Sequence, residues 1–183
     1  MNSKKLLVIS DTHGKTANLL AVLNWAKERT PPNGTICAAV FLGDGLSDLE
    51  PAANAAGFFC DWKIVKGNND YGYQVPESVV FDFADDRFFI SHGHRCNSYN
   101  GGHILVAAAK NNGANIVLSG HSHVPHDKTL DGIRLINPGS VGSPRSRIGA
   151  TFAVIECTED KPLKVEFWGI SEKGKIEQVK IKP

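Results

Sequence analysis

The segment KKLLVISDTHG, residues 4–14, is a short apolar run that ends in a polar, glycine-containing turn. A continuous apolar run of this length, Lys4 to Ser10, is typical of a buried strand in an α/β sheet. Ile36 to Leu42 repeats the pattern and ends in Gly43-Asp44. Between the two runs, apolar residues recur at helical spacing from Leu19 to Ala26. The sequence therefore predicts a strand–helix–strand unit.

The rest of the chain continues with strands and helices of ordinary length. Helices are predicted at Leu49–Ala56 and Ile104–Asn111. Strands are predicted at Trp62–Val65, Val79–Phe83, Phe88–Ser91, Asn115–Ser119, Lys128–Leu130, Ile133–Ile136, Thr151–Cys157, Leu163–Gly169 and Ile176–Ile181. The 183 residues are near the size of one ordinary domain, so we expect a single domain over residues 1–183, richer in antiparallel strand in its second half.

Composition excludes several classes of partner. Lysine plus arginine number 20 against 19 acidic residues, and a net charge of +1 creates no long-range field for a nucleic-acid duplex or a membrane surface. No apolar run approaches the roughly 20 residues that span a bilayer, and the N-terminal run falls short of a signal peptide. We therefore expect a cytoplasmic protein. Its four cysteines form no CxxC pair, which predicts buried, reduced thiols rather than disulfides or a zinc site.

Five polar clusters follow apolar runs in order along the chain. They are Asp11-Thr12-His13, Gly43-Asp44, Gly67-Asn68-Asn69-Asp70, His92-Gly93-His94 and Gly120-His121-Ser122-His123. In open α/β sheets, side chains beyond the carboxyl ends of strands converge on one crevice. Their carboxylates, imidazoles and carboxamide, without a thiolate, suit manganese, iron, nickel or zinc. The clusters therefore predict a shared metal site.

The number of donors favours two ions over one. The candidate donors are Asp11, His13, Asp44, Asn68, His92, His121 and His123. One tetrahedral ion uses four ligands, so the surplus indicates two ions with a shared ligand. Asp-x-His and His-x-His on an extended backbone would direct alternate side chains to the same face. Each cluster alone is equally an ordinary turn or a polar strand end, and the argument depends on the ordered set.

In this order the clusters resemble the motif set of the calcineurin-like metallophosphoesterases. The Gly67-Asn68-x-Asp70 form and the later Asn137-Pro138-Gly139-Ser140-Val141 are similar to the compact prokaryotic branch often called YfcE-like phosphodiesterases. The resemblance covers the chain from Val8 to about Arg145 by motif. It implies an α/β (α+β) fold, a four-layer α-β-β-α sandwich of two mixed sheets flanked by helices, with metals at the strand ends.

The resemblance also implies a ligand set and a reaction. One ion would be held by Asp11, His13 and His123. The other would be held by Asn68, His92 and His121, with Asp44 bridging the two. Manganese is the first choice of metal, with nickel, iron, zinc or magnesium as alternatives. The reaction would be hydrolysis of a small phosphodiester through in-line attack by a metal-bound hydroxide. A homo-oligomer is compatible with the sequence.

Three further residues are candidates for catalysis: His94, Asn69 and Asp70. His94 is not needed to complete either metal shell and is expected near the phosphate, or else hydrogen-bonded to a ligand. Asn69 stands where many relatives carry histidine and the compact branch often carries cysteine, as proton donor to the leaving oxygen. An amide cannot act as a general acid near pH 7, which predicts a preference for activated or aryl-like leaving groups. Asp70 is expected in a turn or a supporting contact.

A second function of a different class stays open. The vacuolar-sorting subunit of retromer shares this fold, has lost part of the metal set and works through protein contacts. Every predicted donor is present here, which favours catalysis, whereas Asn69 leaves the scaffold alternative open. Arg145 could contact a phosphate or be an exposed loop residue. Tyr71, Tyr73 and Tyr99 could stack on an aryl group or be ordinary surface or core residues.

Overall fold

Strand β1, Ser3–Ile9, has apolar packing partners on both of its faces. The computed structural model describes residues 3–31, 34–96, 102–159 and 161–181. Leu7 and Ile9 of β1 belong to one apolar core, and Leu6 and Val8 belong to another. Successive side chains of a strand point to opposite faces, so β1 is covered on both sides. This explains why its sequence is a continuous apolar run rather than an alternating one.

Three helices lie within the described ranges: α1 (Thr16–Lys27), α2 (Leu46–Ala56) and α3 (His103–Asn111). In the same ranges the other strands are β2 (Ile36–Phe41), β3 (Asp61–Ile64), β4 (Ser78–Phe83), β5 (Asp86–Ser91), β6 (Ile116–Ser119), β7 (His126–Leu130), β8 (Ile133–Asn137), β9 (Ala150–Thr158), β10 (Lys164–Ile170) and β11 (Ile176–Val179). None of the helices described has the length and apolar character needed to cross a membrane.

The strands form two mixed sheets. The first has the order β11-β10-β9-β1-β2-β3, in which β1, β2 and β3 are parallel and the other pairs are antiparallel. The second has the order β4-β5-β6-β8-β7, with β5, β6 and β8 parallel between two antiparallel edge strands. The parallel strands β1-β2-β3 on one side of the first sheet and β5-β6-β8 at the centre of the second bring their carboxyl ends to one edge of each sheet.

Three apolar cores separate four layers. Helices α1 and α2 pack on one face of the first sheet, where Leu23 and Leu49 share a core with Phe41. The two sheets pack face to face through a second core that includes Val40 and Leu118. Helix α3 covers the outer face of the second sheet through a third core. The predicted α-β-β-α sandwich is confirmed.

Every helix and strand predicted from the sequence is present, with ends that shift by at most three residues. Helices α1 and α2 each begin three residues early, and α2 begins at Leu46 instead of Leu49. The backbone N–H groups of Gly45 and Leu46 each donate to Asp70 Oδ1 at 2.9 Å. This carboxylate caps the helix from a distant loop, and unpaired N–H groups at a helix start need such a partner. Local sequence could not reveal it.

The cysteines are free thiols, as predicted, but their predicted burial is wrong for three of them. Cys157 is buried, whereas Cys37, Cys60 and Cys96 are partly exposed. Cys37 lies near the start of β2, Cys60 directly precedes β3 and Cys96 lies in the loop after β5, where an apolar sequence context does not guarantee full burial. Burial still raises the pKa of Cys60 and of Cys157 to about 12, so neither thiol is a reactive thiolate near neutral pH.

Candidate metal centre

The predicted donors lie at the carboxyl ends of strands from both sheets. Asp11 and Asp44 follow β1 and β2 of the first sheet, and His92 and His121 follow β5 and β6 of the second. Asp44 Oδ2 lies 3.4 Å from His92 Nε2, a contact between the two sheets. The two strand edges therefore meet at one place, as the position of the motifs predicted.

Asp11, His13 and His123 form the first donor group. Their ligand atoms all lie within 4.8 Å of one another. Asp11 Oδ1 is 3.0 Å from His123 Nε2 and 3.6 Å from His13 Nε2, and the two imidazole nitrogens are 3.2 Å apart. Three donor atoms at this spacing can converge on a single cation.

Asp44, His92 and His121 form the second donor group, again with ligand atoms within 4.8 Å of one another. The two groups adjoin. Asp44 Oδ2 is 3.6 Å from His13 Nε2 of the first group, and Asp11 Oδ1 is 3.9 Å from His92 Nε2 of the second. Asp44 therefore lies between the groups, which is the place expected for a shared ligand.

The backbone of the donors is strained rather than extended. Seven non-glycine residues of the described chain have a positive φ, and five of them are predicted donors: Asp11 (56°), His13 (44°), Asp44 (58°), His121 (65°) and His123 (59°). The prediction of extended Asp-x-His and His-x-His segments is therefore wrong. In the left-handed turns that occur instead, His121 and His123 point into different groups. Residues in this sparsely populated region cluster at functional sites.

Two of the histidines are oriented by hydrogen bonds to backbone carbonyls. His92 Nδ1 lies 2.6 Å from the Leu42 carbonyl oxygen, and His123 Nδ1 lies 2.5 Å from that of Ser143. A carbonyl only accepts, so Nδ1 carries the proton in each ring and the Nε2 lone pair faces the site. His92 Nε2 and Asp11 Oδ1 are buried without a hydrogen-bond partner in the described structure. Buried unpaired donors and acceptors are costly, so a bound divalent cation fits these atoms.

Neighbouring side chains shift the pKa values of Asp44 and His123 in the two donor groups. Burial by itself would raise the pKa of the Asp44 carboxyl, but the His92 imidazole 3.4 Å away and the hydrogen bonds from Asn69 hold that pKa well below its usual range. The Asp11 carboxylate, 3.0 Å from His123 Nε2, raises the pKa of His123. Because histidine must lose its proton to bind a metal, protons and cations compete for this site, and cation affinity rises with pH.

Asp70 holds the loop that carries Asp44. Its carboxylate accepts four backbone N–H groups: those of Asp44 (2.7 Å), Gly67 (2.8 Å), Gly45 (2.9 Å) and Leu46 (2.9 Å). The side chain is buried. Both oxygens thereby accept from the backbone, so Asp70 supports this loop, and its candidate role in catalysis stays a prediction.

Asn68 and Asn69 are exposed on the same loop. The backbone N–H of Asn69 donates to Asp44 Oδ1 at 2.8 Å, and its side-chain Nδ2 donates to Asp44 Oδ2 at 2.5 Å. Asn68 is the residue between Gly67 and Asn69 in the chain, and the Gly67 N–H donates to Asp70. The loop therefore places the Asn69 carboxamide against the carboxylate that lies between the two donor groups, and Asn68 is exposed one residue before it.

His94 lies beside the second donor group without belonging to it. Its ring centroid is 5.5 Å from that of His92 and 6.3 Å from that of His121. Its Nδ1 is buried and has no hydrogen-bond partner among the described residues. The ring is therefore free to bind a group that enters the site.

The segment after β8 supports the first donor group. Ser140 Oγ donates to the Asp11 carbonyl oxygen at 2.7 Å, and the Gly142 N–H donates to the same oxygen at 3.0 Å. Gly139 has a φ of 85°, and a side chain there would collide with Thr151. The Arg145 side chain is exposed.

The predicted aromatic side chains lie at the surface. Tyr71 and Tyr73 are exposed, and Tyr99 lies outside the described residues.

Sequence analysis missed Asp48, which is buried and accepts hydrogen bonds from Thr12 Oγ1 at 2.5 Å and the Gly14 N–H at 2.9 Å. An acidic residue in the first turn of a helix that starts at a donor loop is the signal that could have revealed it.

Comparison with known proteins agrees with this geometry. A family model described as the calcineurin-like phosphoesterase superfamily domain matches residues 5–160. A probable metallophosphoesterase from Mycoplasma pneumoniae is 34% identical over 146 residues, which cover 78% of this chain and 82% of that protein. A Streptococcus pneumoniae protein described as a predicted phosphoesterase has a solved structure with a TM-score of 0.74, 27% identity and 98% coverage of each chain.

Two more distant solved structures share the fold. Entamoeba histolytica Vps29, solved with Zn²⁺, has 20% identity and a TM-score of 0.72, covering 96% of this chain and 98% of its own. A protein described as a novel archaeal phosphodiesterase has 20% identity and a TM-score of 0.66, covering 89% of this chain and 99% of its own. The family match and the Mycoplasma relative carry the assignment: the chain belongs to the calcineurin-like phosphoesterase superfamily.

Proposed function

We propose that this protein is a phosphodiesterase that works with two divalent ions. The observation that supports the proposal is the pair of adjoining donor groups with Asp44 between them, 3.4 Å from His92 and 3.6 Å from His13. Two-ion sites of this kind catalyse displacement at phosphorus. The near-neutral charge of the chain favours a small diester over a nucleic-acid duplex.

The ligands divide between the two ions as the donor groups do. Asp11, His13 and His123 hold one ion, and His92, His121 and the Asn68 carboxamide hold the other. Asp44 is shared. Manganese is the preferred metal, with nickel, iron, zinc and magnesium as alternatives. When bound, the two ions supply Lewis acidity that activates water and neutralises charge on the phosphate.

The other residues near the centre bind and orient the substrate. His94 has a buried, unpartnered Nδ1 beside the second group and binds a phosphate oxygen. Asn69 holds Asp44 through two hydrogen bonds, and its amide cannot protonate a leaving oxygen. The leaving group must then depart without a strong general acid, so activated or aryl-like diesters are preferred and monoesters react weakly.

The test is hydrolysis of bis-p-nitrophenyl phosphate and of p-nitrophenyl phosphate. Metal-stripped protein is supplied separately with manganese, nickel, zinc or magnesium, and Asp44→Ala is assayed in parallel. We expect metal-dependent turnover that prefers the diester and is lost in Asp44→Ala. Absence of turnover with every metal, in protein shown to bind ions, would contradict the proposal.

A scaffold function is the second candidate. It is favoured by the hydrogen bonds that Asn69 makes to both oxygens of Asp44, because they engage the carboxylate that the two ions would share. The structural similarity to Vps29 shows the fold alone. Ion binding without hydrolysis in the assay above would support this second candidate.

A further inference from the structure

Asp48 lies outside both donor groups, in the first turn of α2, and its side chain reaches the turn that carries His13. The residue is 7% exposed. Its Oδ2 accepts from Thr12 Oγ1 at 2.5 Å and from the Gly14 N–H at 2.9 Å, and Thr16 Oγ1 lies 3.4 Å from Oδ1. One carboxylate oxygen therefore binds the residue on each side of His13.

His13 differs from His92 and His123 in how it is oriented. The rings of His92 and His123 each have an Nδ1 that binds a backbone carbonyl. No such partner of the His13 ring is found in the ranges that the structure describes, and its Nε2 lies 3.2 Å from His123 Nε2, inside the donor group itself. The His13 side chain is also 27% exposed, against 4% for His123 and 0% for His92. Without a carbonyl contact outside the donor group, the direction of the ring depends on the backbone that carries it.

The backbone at His13 is in a conformation that needs support. Its φ is 44°, and that of Gly14 is 78°. A non-glycine residue in this region persists when its surroundings hold it there. The contacts that hold this turn include the Lys15 N–H to the Thr12 carbonyl oxygen, at 2.8 Å, the His13 N–H to the Asp44 carbonyl oxygen, at 3.1 Å, and the two bonds to Asp48 Oδ2.

Two carboxylates near the start of α2 thus hold two different loops of the metal centre. Asp70 binds the N–H groups of Gly45 and Leu46 and holds the Asp44 loop. Asp48 lies three residues into the helix, where the helix dipole favours a negative side chain, and holds the His13 turn. Each carboxylate supports a different donor.

We propose that Asp48 is the positioning residue of the first donor group, and that it sets the affinity of the ion held by Asp11, His13 and His123 without affecting the other ion. This inference rests on the division of ligands proposed above. It is independent of whether the bound ions catalyse hydrolysis. Outer contacts of this kind typically contribute about 10- to 100-fold to metal affinity.

The experiment measures ion uptake, not activity. Metal-stripped protein is titrated with Mn²⁺ by calorimetry, and the number of bound ions is checked by metal analysis after dialysis. Wild type is expected to bind two ions. Asp48→Ala is expected to bind one of them about 10- to 100-fold more weakly and the other unchanged. The matched control is Glu50→Ala, which removes an exposed acidic side chain from the same helix and should leave both affinities unchanged.

Two further variants connect the effect to His13. His13→Ala should weaken the same ion, and adding Asp48→Ala to it should cost little more, because the two act through one ligand. Asp48→Asn keeps one acceptor oxygen for Thr12 or Gly14 and should recover part of the affinity. The unfolding temperature of each metal-free variant shows whether the fold is retained.

Three results would overturn the inference. Equal loss of affinity for both ions in Asp48→Ala would mean that Asp48 supports the whole centre. No loss of affinity for either ion would mean that Asp48 positions neither donor group. If wild type bound a single ion and His13→Ala did not weaken its affinity, the first donor group would hold no ion for Asp48 to affect. Selective weakening in a protein that hydrolyses no diester would contradict the proposed function and sustain this inference.

Discussion

Asn69 is the residue at which this chain departs from the pattern of its relatives. The family resemblance places a proton-donating histidine or cysteine there, whereas the amide of Asn69 donates a 2.5 Å hydrogen bond to Asp44. A carboxamide can orient a carboxylate but has no proton to give near pH 7. Under the proposed function, the identity of this one side chain governs which leaving groups the site can release.

Replacing Asn69 with histidine should restore a proton donor. We expect Asn69→His to accelerate hydrolysis of alkyl diesters, which have poor leaving groups, by up to about 10²-fold and to change aryl diester hydrolysis little. The measurement is kcat/KM for a methyl and a p-nitrophenyl ester of the same phosphate. Asn69→Ala serves as the control for loss of the amide. No gain on the alkyl ester would count against the assigned position of the leaving group.

Asp70 can be tested separately as a structural residue. Asp70→Asn places an NH₂ group against backbone N–H donors and loses acceptors for the four bonds that Asp70 accepts. Each hydrogen bond to a charged group contributes about 1.5 to 3 kcal/mol. We therefore expect the free energy of unfolding to fall by about 2 kcal/mol or more. Urea denaturation of the metal-free protein measures it.

The control for this variant is Asp85→Asn, in the exposed turn between β4 and β5. It should leave stability almost unchanged, because it removes no buried contact. If Asp70→Asn were as stable as wild type and lost only activity, Asp70 would instead be a catalytic residue.

At the level of elements, the centre depends on close approach between strand-end loops. Gly120 precedes His121, and a Cβ there would lie 2.8 Å from Asp11 Oδ2 and in contact with Ser10 Oγ. The glycine lets the loop after β6 in the second sheet meet the loop after β1 in the first. The His121 N–H then donates to Asp11 Oδ2 at 3.0 Å, which joins the two loops.

A methyl group at Gly120 should separate those loops. We expect Gly120→Ala to cost about 1 to 3 kcal/mol of stability and to weaken the uptake of both ions. Chemical denaturation and Mn²⁺ titration give the two values. Gly174→Ala is the control, since its Cβ meets no atom within 4 Å and its turn joins β10 and β11 far from the donors in sequence.

Gly174→Ala should lose some stability, because its φ is 73°, and should bind ions as wild type does. An unchanged Mn²⁺ affinity in Gly120→Ala would show that the loops tolerate separation, contrary to the close approach described here.

For the whole molecule, the centre joins the two sheets. Asp11 and Asp44 come from the first sheet and His92 and His121 from the second, so ions bound there connect layers that otherwise meet through an apolar core. A ligand that binds only the folded state stabilises it by mass action. Ion occupancy should therefore be visible in the stability of the entire fold.

Removing the ions should lower the unfolding temperature. At Mn²⁺ concentrations near 100 times the dissociation constant, each bound ion contributes about 2.7 kcal/mol, or roughly 5 to 10 °C for a chain of this size. Thermal unfolding with excess Mn²⁺ and with a chelator measures the difference. Asp44→Ala should show a much smaller difference, and equal unfolding temperatures for wild type in the two conditions would contradict ion binding by the folded state.

The sequence by itself determined the class of fold and the list of candidate donors. Strand-length apolar runs, helical periodicity and turn residues predicted every element, because these patterns arise from local backbone geometry. The five polar clusters predicted a shared site, since the carboxyl ends of strands converge whatever the details of packing, and the number of their donors suggested two ions.

Only the tertiary structure decided how the donors are held. The left-handed turns at Asp11, His13 and Asp44 depend on contacts from residues far along the chain, including Asp48 and Asp70. An extended backbone was the natural prediction, because the intrinsic preference of a non-glycine residue opposes positive φ. Buried hydrogen bonds between separate loops overcome that preference, and no local pattern encodes which loops will meet.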